Sequence, residues 1–318
     1  MVDTLYTNGV IAVKEKSLLG ERILRLAEMT AEEAFRALVE AGFGNGAEAA
    51  GAQDSELLCA AEERALDDFI RTYAPSEREL EYLLSPRDFH NAKALVKAEK
   101  LGSSAESMLA PEGRIPLAIL SKAIDERKFD SLGKTLGGAT KTALEAEELT
   151  GVEIGAIFDN ALFCHLSEIS GKFGALKKMV CAKADMTNIL TAVRAGEQEF
   201  AEKLYVEGGK LTARQLSGIF EPDREKAAHA LDGTAYKEFY SLLLSAKGKG
   251  LPFTEAEKRL ESSEAEHFAE RKYELERKEP FLYYVFCRRA EIANVRIVLV
   301  CLNAGLKEQD IKRRLRAV

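Results

Sequence analysis

The chain has 318 residues, a formal net charge of −7, 46% hydrophobic and 31% charged residues, and only 7 prolines. A chain this long buries roughly three quarters of its unfolded surface, so its core needs no disulfide or metal staple. The acidic balance also denies it the basic footprint that nucleic-acid binding requires. Its longest apolar runs, Phe281 to Cys287 and Ile297 to Leu302, fall far short of the roughly 20 residues that span a bilayer.

No proline lies between Pro116 and Pro222, and Ala, Leu, Glu and Lys abound, so the composition is all-α. The first residues are polar and lack an apolar h-region, so no secretory signal is expected. Thr30-Ala31-Glu32-Glu33 reads as a capping box opening a helix with Phe35, Leu38 and Val39. Gly42-Phe43-Gly44-Asn45-Gly46 and the run to Ala52 read as a loop, followed by a helix carrying Leu57, Leu58, Leu66, Phe69 and Ile70. Ser85-Pro86-Arg87-Asp88 supplies a cap, a proline at N1 and an acid at N3, so a helix starts or restarts there and stops near Gly102. Two helices follow a loop to Pro116, broken around Gly133, Gly137 and Gly138. A long helical run from about 156 to 195 is interrupted near Gly171 and Gly174. Beyond it lie short helices at 212–220, around Ala227 and at 236–244, then a turn at 247–252 and a highly charged helix over 255–278. Pro280 to Gly305 reads as one long helix, with Pro at its first position and Gly just past its end.

On that last helix Cys287, Glu291, Asn294, Val298 and Cys301 share one face. The same stripe occurs at Cys181, Asp185, Asn188, Ala192 and Ala195, and at Leu84, Asp88, Asn91, Leu95 and Ala98. A second landmark follows each stripe: Gly113-Arg114-Ile115, Gly209-Lys210-Leu211, and, closer in, Gly305-Leu306. Shared order and spacing indicate an internal triplication, with helical repeats over 1–112, 113–209 and 210–318. A buried acid and amide are costly unless hydrogen-bonded. Three copies of each are therefore expected to satisfy polar groups of a neighbouring helix end or loop; a binding or ion-handling role is the alternative.

Other chemistry is weaker. Gly133-Lys134-Thr135 lacks the upstream glycine and the strand of a phosphate loop, and Asp67-Asp68 meets Arg71 rather than further acids one turn on. The four histidines share no metal-ligand spacing. The five cysteines (Cys59, Cys164, Cys181, Cys287, Cys301) are odd in number without a Cys-x-x-Cys, as expected of inert core thiols in a reducing compartment. No catalytic, cofactor-binding or metal residue is assigned.

Tyr6-x-Asn8 with Leu18-Leu19, Asp88-x-x-Asn91-x-Lys93, and Pro280-Phe281-x-Tyr283 running on to Glu291-Ile292-x-Asn294-x-Arg296 carry a resemblance. Over essentially its whole length the chain resembles the C subunit of archaeal and bacterial V/A-type rotary ATPases, the family of subunit d in eukaryotic V-ATPases. It departs from the pattern at Gly9-Val10 and at Leu190, where a basic residue follows the other two asparagines at the same spacing. The resemblance implies three similar helical domains in a pseudo-threefold funnel and no active site. It implies one copy per complex, seated on the cytoplasmic face between the central-stalk subunits and the membrane rotor ring. There it would transmit torque between ATP hydrolysis or synthesis and H⁺ or Na⁺ transport. A stand-alone helical-repeat scaffold for protein binding is the rival reading.

Overall fold

The computed structural model describes residues 2–44 and 46–316; Asn45, inside the glycine-rich loop expected from the sequence, lies outside the described residues. Among the described residues there are helices, short 3₁₀ turns and no strand, so the fold is all-α. The helices are, in order, α1 Thr4–Lys14, α2 Arg22–Leu26, α3 Ala31–Glu40, α4 Ser55–Tyr73, α5 Glu77–Leu101, α6 Leu117–Asp125, α7 Lys134–Glu145 and α8 Gly151–Ile169. They continue with α9 Ala175–Ala195, α10 Gln198–Glu202, α11 Ala213–Ser217, α12 Arg224–Ala228, α13 Lys237–Gly248, α14 Thr254–Ala269, α15 Glu279–Asn303 and α16 Glu308–Lys312. They fall into two compact units, one of Met1–Leu80 with Glu261–Val318 and the other of Glu81–Leu260.

The discontinuous unit is built around α15, which packs against α1, α2, α3 and α4. Pro280 sits in its first turn, where its missing N–H is an orphan anyway, and Gly305 closes it at φ +72°. The N–H of Leu306 returns to the Cys301 carbonyl and that of Gly305 to Leu302, a left-handed C-terminal cap. Phe281, Val285, Val295, Val298 and Leu299 are wholly buried along it. Fully burying each such side chain contributes about 1.5–3 kcal/mol, so this helix anchors the unit.

The continuous unit holds two larger apolar cores and a small cluster of Phe163, Ala184 and Val206 among the described residues. Phe89, Ala92 and Val96 of α5 meet Leu120, Leu136, Ala143, Ile154 and Phe158 of α6, α7 and α8. Met186, Ile189, Leu190 and Val193 of α9 meet Leu216, Leu231, Tyr240 and Leu243. In all three cases one long helix carries the acid–asparagine stripe and the shorter helices pack against it.

Capping decides several starts. Thr30 with Glu33, Thr150 with Glu153, and Thr212 with Gln215 each form a complete capping box. Three boundaries differ from the sequence reading. Helix α5 begins at Glu77 and runs straight through Pro86; burial of Tyr82, Leu83, Leu84 and Phe89 on both sides of the proline offsets the loss of one backbone bond. Gly137 and Gly138 lie inside α7 rather than between helices. A Cβ on Gly137 would stand 2.1 Å from the Phe129 carbonyl oxygen, so glycine is there for a close approach, not a break. The charged helix ends at Ala269, and 270–278 is a chain of turns. Asn8 donates from Nδ2 to the carbonyls of Leu275 (2.6 Å) and Arg277 (2.8 Å), and those bonds hold the segment out of a helix that its composition alone would favour.

Candidate functional site

The acid–asparagine residues are all buried: Asp88 and Asn91 on α5, Asp185 and Asn188 on α9, Glu291 and Asn294 on α15. At i, i+3 the two side chains of each pair sit one turn apart on one face; on α5 and α9 they reach two points of the same loop, whereas on α15 they reach two segments distant in sequence. Each asparagine makes a two-way clasp with one peptide unit. Asn91 accepts from Ala110 N–H (2.8 Å) and donates to its carbonyl (3.2 Å). Asn188 does the same with Val206 (2.8 and 2.9 Å), and Asn294 with Arg316 (2.8 and 3.1 Å). A side-chain amide places an N–H donor and a C=O acceptor side by side, matching the carbonyl and N–H of one residue, which suits Asn at all three places.

Each acid grips successive backbone N–H groups. Asp88 accepts from Arg114 (2.9 Å) and Ile115 (3.1 Å), and Asp185 from Lys210 (2.8 Å) and Leu211 (2.9 Å). Asp185 also accepts from the Tyr236 hydroxyl at 2.8 Å, and burial together with that bond pushes the Tyr236 phenol upward. The landmark glycines now have a cause. A Cβ on Gly113 would lie 2.3 Å from Asp88 Oδ1 and 2.7 Å from the Leu84 carbonyl oxygen, and one on Gly209 2.3 Å from Asp185 Oδ1. The third landmark expected from the sequence, Gly305-Leu306, is not the counterpart of these loops; it is the cap of α15, and Glu291 accepts instead from the backbone of Leu19.

Around Glu291 the discontinuous unit builds an ionic centre that the sequence reading missed. Arg288, 9% exposed, bonds to Glu291 one turn away and, at 2.6 Å, to Glu62 of α4. The other Glu62 oxygen accepts from Gly44 N–H at 2.7 Å, and the guanidinium lies 5.2 Å from the Phe43 ring centroid. Burial opposes the charge on Arg288, yet the Glu291 and Glu62 carboxylates outweigh it and hold its pKa above the ordinary value. Burial raises Glu291 against the pull of Arg288 and the Leu19 N–H. A polar cavity of about 160 Å³ adjoins, lined among others by Lys14, Ser17, Glu62, Tyr284 and Arg288. The i, i+3 spacing of Arg288 and Glu291 was visible in the sequence; Glu62, 226 residues away, was not.

The basic residues that follow two of the asparagines are spent on ion pairs. Arg296 bonds Glu56 through two nitrogens (2.9 and 2.8 Å) and Glu63 at 3.1 Å. Lys93 meets Asp159 at 2.7 Å. Gly133 and Lys134 line a cavity of about 240 Å³ with Asp130 and Lys141, but among the described residues no strand leads into it. Cys59, Cys181, Cys287 and Cys301 are buried free thiols, and burial pushes Cys59 up to about 12.

Asp88 gives a pH test. Burial pushes its carboxyl above the ordinary range against the pull of the Ile115 and Arg114 N–H groups. A carboxyl raised on folding retains protons that the unfolded chain releases. Its share of stability is therefore full below about pH 4 and is lost as pH rises through the folded-state value. Asp88→Asn cannot titrate. The gap in melting temperature between wild type and variant should be widest near pH 4 and narrow toward neutrality; a gap that widens with pH contradicts the assignment.

Long helices that turn their acid and amide side chains inward onto loop backbone define an all-α protein whose conspicuous polar residues are internal fasteners. The chain belongs to the ATP synthase (C/AC39) subunit family, whose family model it matches over residues 7–314, and so to the V/A-type ATPase C/d subunits. A search of curated proteins returns no match. Among the described residues no helix is long and apolar enough to cross a membrane.

Proposed function

We propose that this chain is a non-catalytic central-stalk subunit that links the rotor shaft of a V/A-type ATPase to its membrane rotor ring. It would sit peripherally on the cytoplasmic face, one copy per complex, and transmit the torque that couples ATP hydrolysis or synthesis to H⁺ or Na⁺ movement. Three similar helical modules in a funnel would suit that place. The observation that carries this reading beyond family membership is how the motif residues are used. All six acid and asparagine side chains bond to loop backbone of their own unit, which stiffens the helices and leaves the motif no substrate to work on. A part that relays torque needs such stiffness more than it needs chemistry. A symmetric ring meeting a single subunit favours polar, adaptable contacts at the rim, whose attachment weakens with salt.

Gentle solubilisation of the membranes followed by native mass spectrometry tests the reading. The chain is expected in one copy in particles that also contain ring and stalk subunits, and to dissociate as ionic strength rises. Its consistent absence from both ring and stalk particles would sink the proposal.

A further inference from the structure

The three fasteners are alike in detail but not in connectivity. In α5 and α9 the gripped loop lies 25–27 residues further along the same chain. In α15 the acid grips Leu19, 272 residues away in sequence. The asparagine of α15 nevertheless keeps the ordinary pattern, clasping Arg316 22 residues downstream, beside 19 and 18 in the other two. Three further correspondences fix Leu19 as the counterpart of Arg114 and Lys210. A helix opens three residues after each of them: α2 at Arg22, α6 at Leu117, α11 at Ala213. The cation two places after the asparagine meets an acid at the same place of a later helix: Lys93 with Asp159, the ninth residue of α8, and Arg296 with Glu63, the ninth of α4. The place before the gripped residue is matched to the acid's length. It is glycine opposite aspartate, where a Cβ would strike the carboxylate, but Leu18 opposite the longer Glu291.

We propose that the third module is circularly permuted: α15 is its first half, and α2, α3 and α4, led in by the strap at Leu18–Gly20, are its second half, latched by Glu291. In this frame the modules begin at α5, α9 and α15, and every fastener stays inside one module. Cuts at 112 and 209 would pass between the acids and the loops they hold. The discontinuous unit is then one module closed by segments distant in sequence, and the two larger apolar cores of the continuous unit belong to the other two modules. This inference stands on the hydrogen bonds alone and does not depend on the torque reading.

A compensation cycle tests it. Glu291→Asp shortens the latch by one methylene in front of Leu18, and should raise the unfolding equilibrium constant in urea about tenfold. Adding Leu18→Gly installs the pairing used at Asp88–Gly113 and should bring the constant back to within about threefold of wild type. Effects that simply multiply, with no coupling between 18 and 291, overturn the proposal. Should Glu291→Asp not fold, the isosteric Glu291→Gln gives a second readout by hydrogen exchange. Amides of Leu19 and of Gly20, whose N–H also bonds Glu291, should then exchange about tenfold faster while those of Arg114 and Ile115 stay unchanged. Unchanged exchange at Leu19 and Gly20 overturns the latch.

Discussion

Arg288→Met is expected to destabilise the discontinuous unit by about 3–5 kcal/mol, because it leaves the Glu62 and Glu291 carboxylates facing each other without their shared cation in a buried site. Against a whole-domain stability of roughly 5–15 kcal/mol that is a large loss, visible as a melting temperature lower by roughly 10 °C. Methionine keeps most of the aliphatic volume, so the loss reports the charge and not a cavity. The pair Arg288→Met with Glu62→Gln should recover part of it, since one of the stranded charges is gone while the new side-chain amide still offers an oxygen to Gly44 N–H. Equal loss in the single and the double variant would show that Glu62 is not coupled to Arg288.

Asn188→Leu is expected to cost the continuous unit about 2–5 kcal/mol. The substitution is near isosteric, but it strands both the N–H and the carbonyl of Val206, a residue only 5% exposed, at about 1–3 kcal/mol for each buried unsatisfied group. Asn91→Leu acts on a half-buried clasp at Ala110, where water can replace part of what is lost, so its effect should be smaller. Thermal melts of the two variants side by side check the order. Asn91→Leu as damaging as Asn188→Leu would mean that burial of the gripped loop does not set the cost.

Much of this was legible in the sequence because it is local. The stripe residues of α15, the caps at Thr30 and Gly305, and the buried thiols follow from helical periodicity and end chemistry. The family resemblance rested on the Asp88–Lys93 and Pro280–Arg296 segments and the start of the chain, and family membership holds across residues 7–314. What escaped was set by distant contacts. Pro86 looks like a helix start until both of its flanks are seen to be buried. Residues 270–278 look helical until Asn8 takes two of their carbonyls. Gly305-Leu306 looked like a shortened third landmark because nothing near it in sequence reveals that Glu291 accepts from Leu19 instead. Glu62 carried no periodic signal that marks it as the partner of Arg288.

Beneath all of this lies one physical claim: helix side chains hold the loops of each module shut. Amide hydrogen exchange on the intact protein reads this directly. Val206, Lys210 and Leu211, and likewise Ala110, Arg114 and Ile115, lie outside α-helices, yet their N–H groups are bonded to Asn188, Asp185, Asn91 and Asp88. They are expected to exchange on the timescale of the helices that grip them. Exchange at the rate of free loop amides such as Ser104 would contradict the claim.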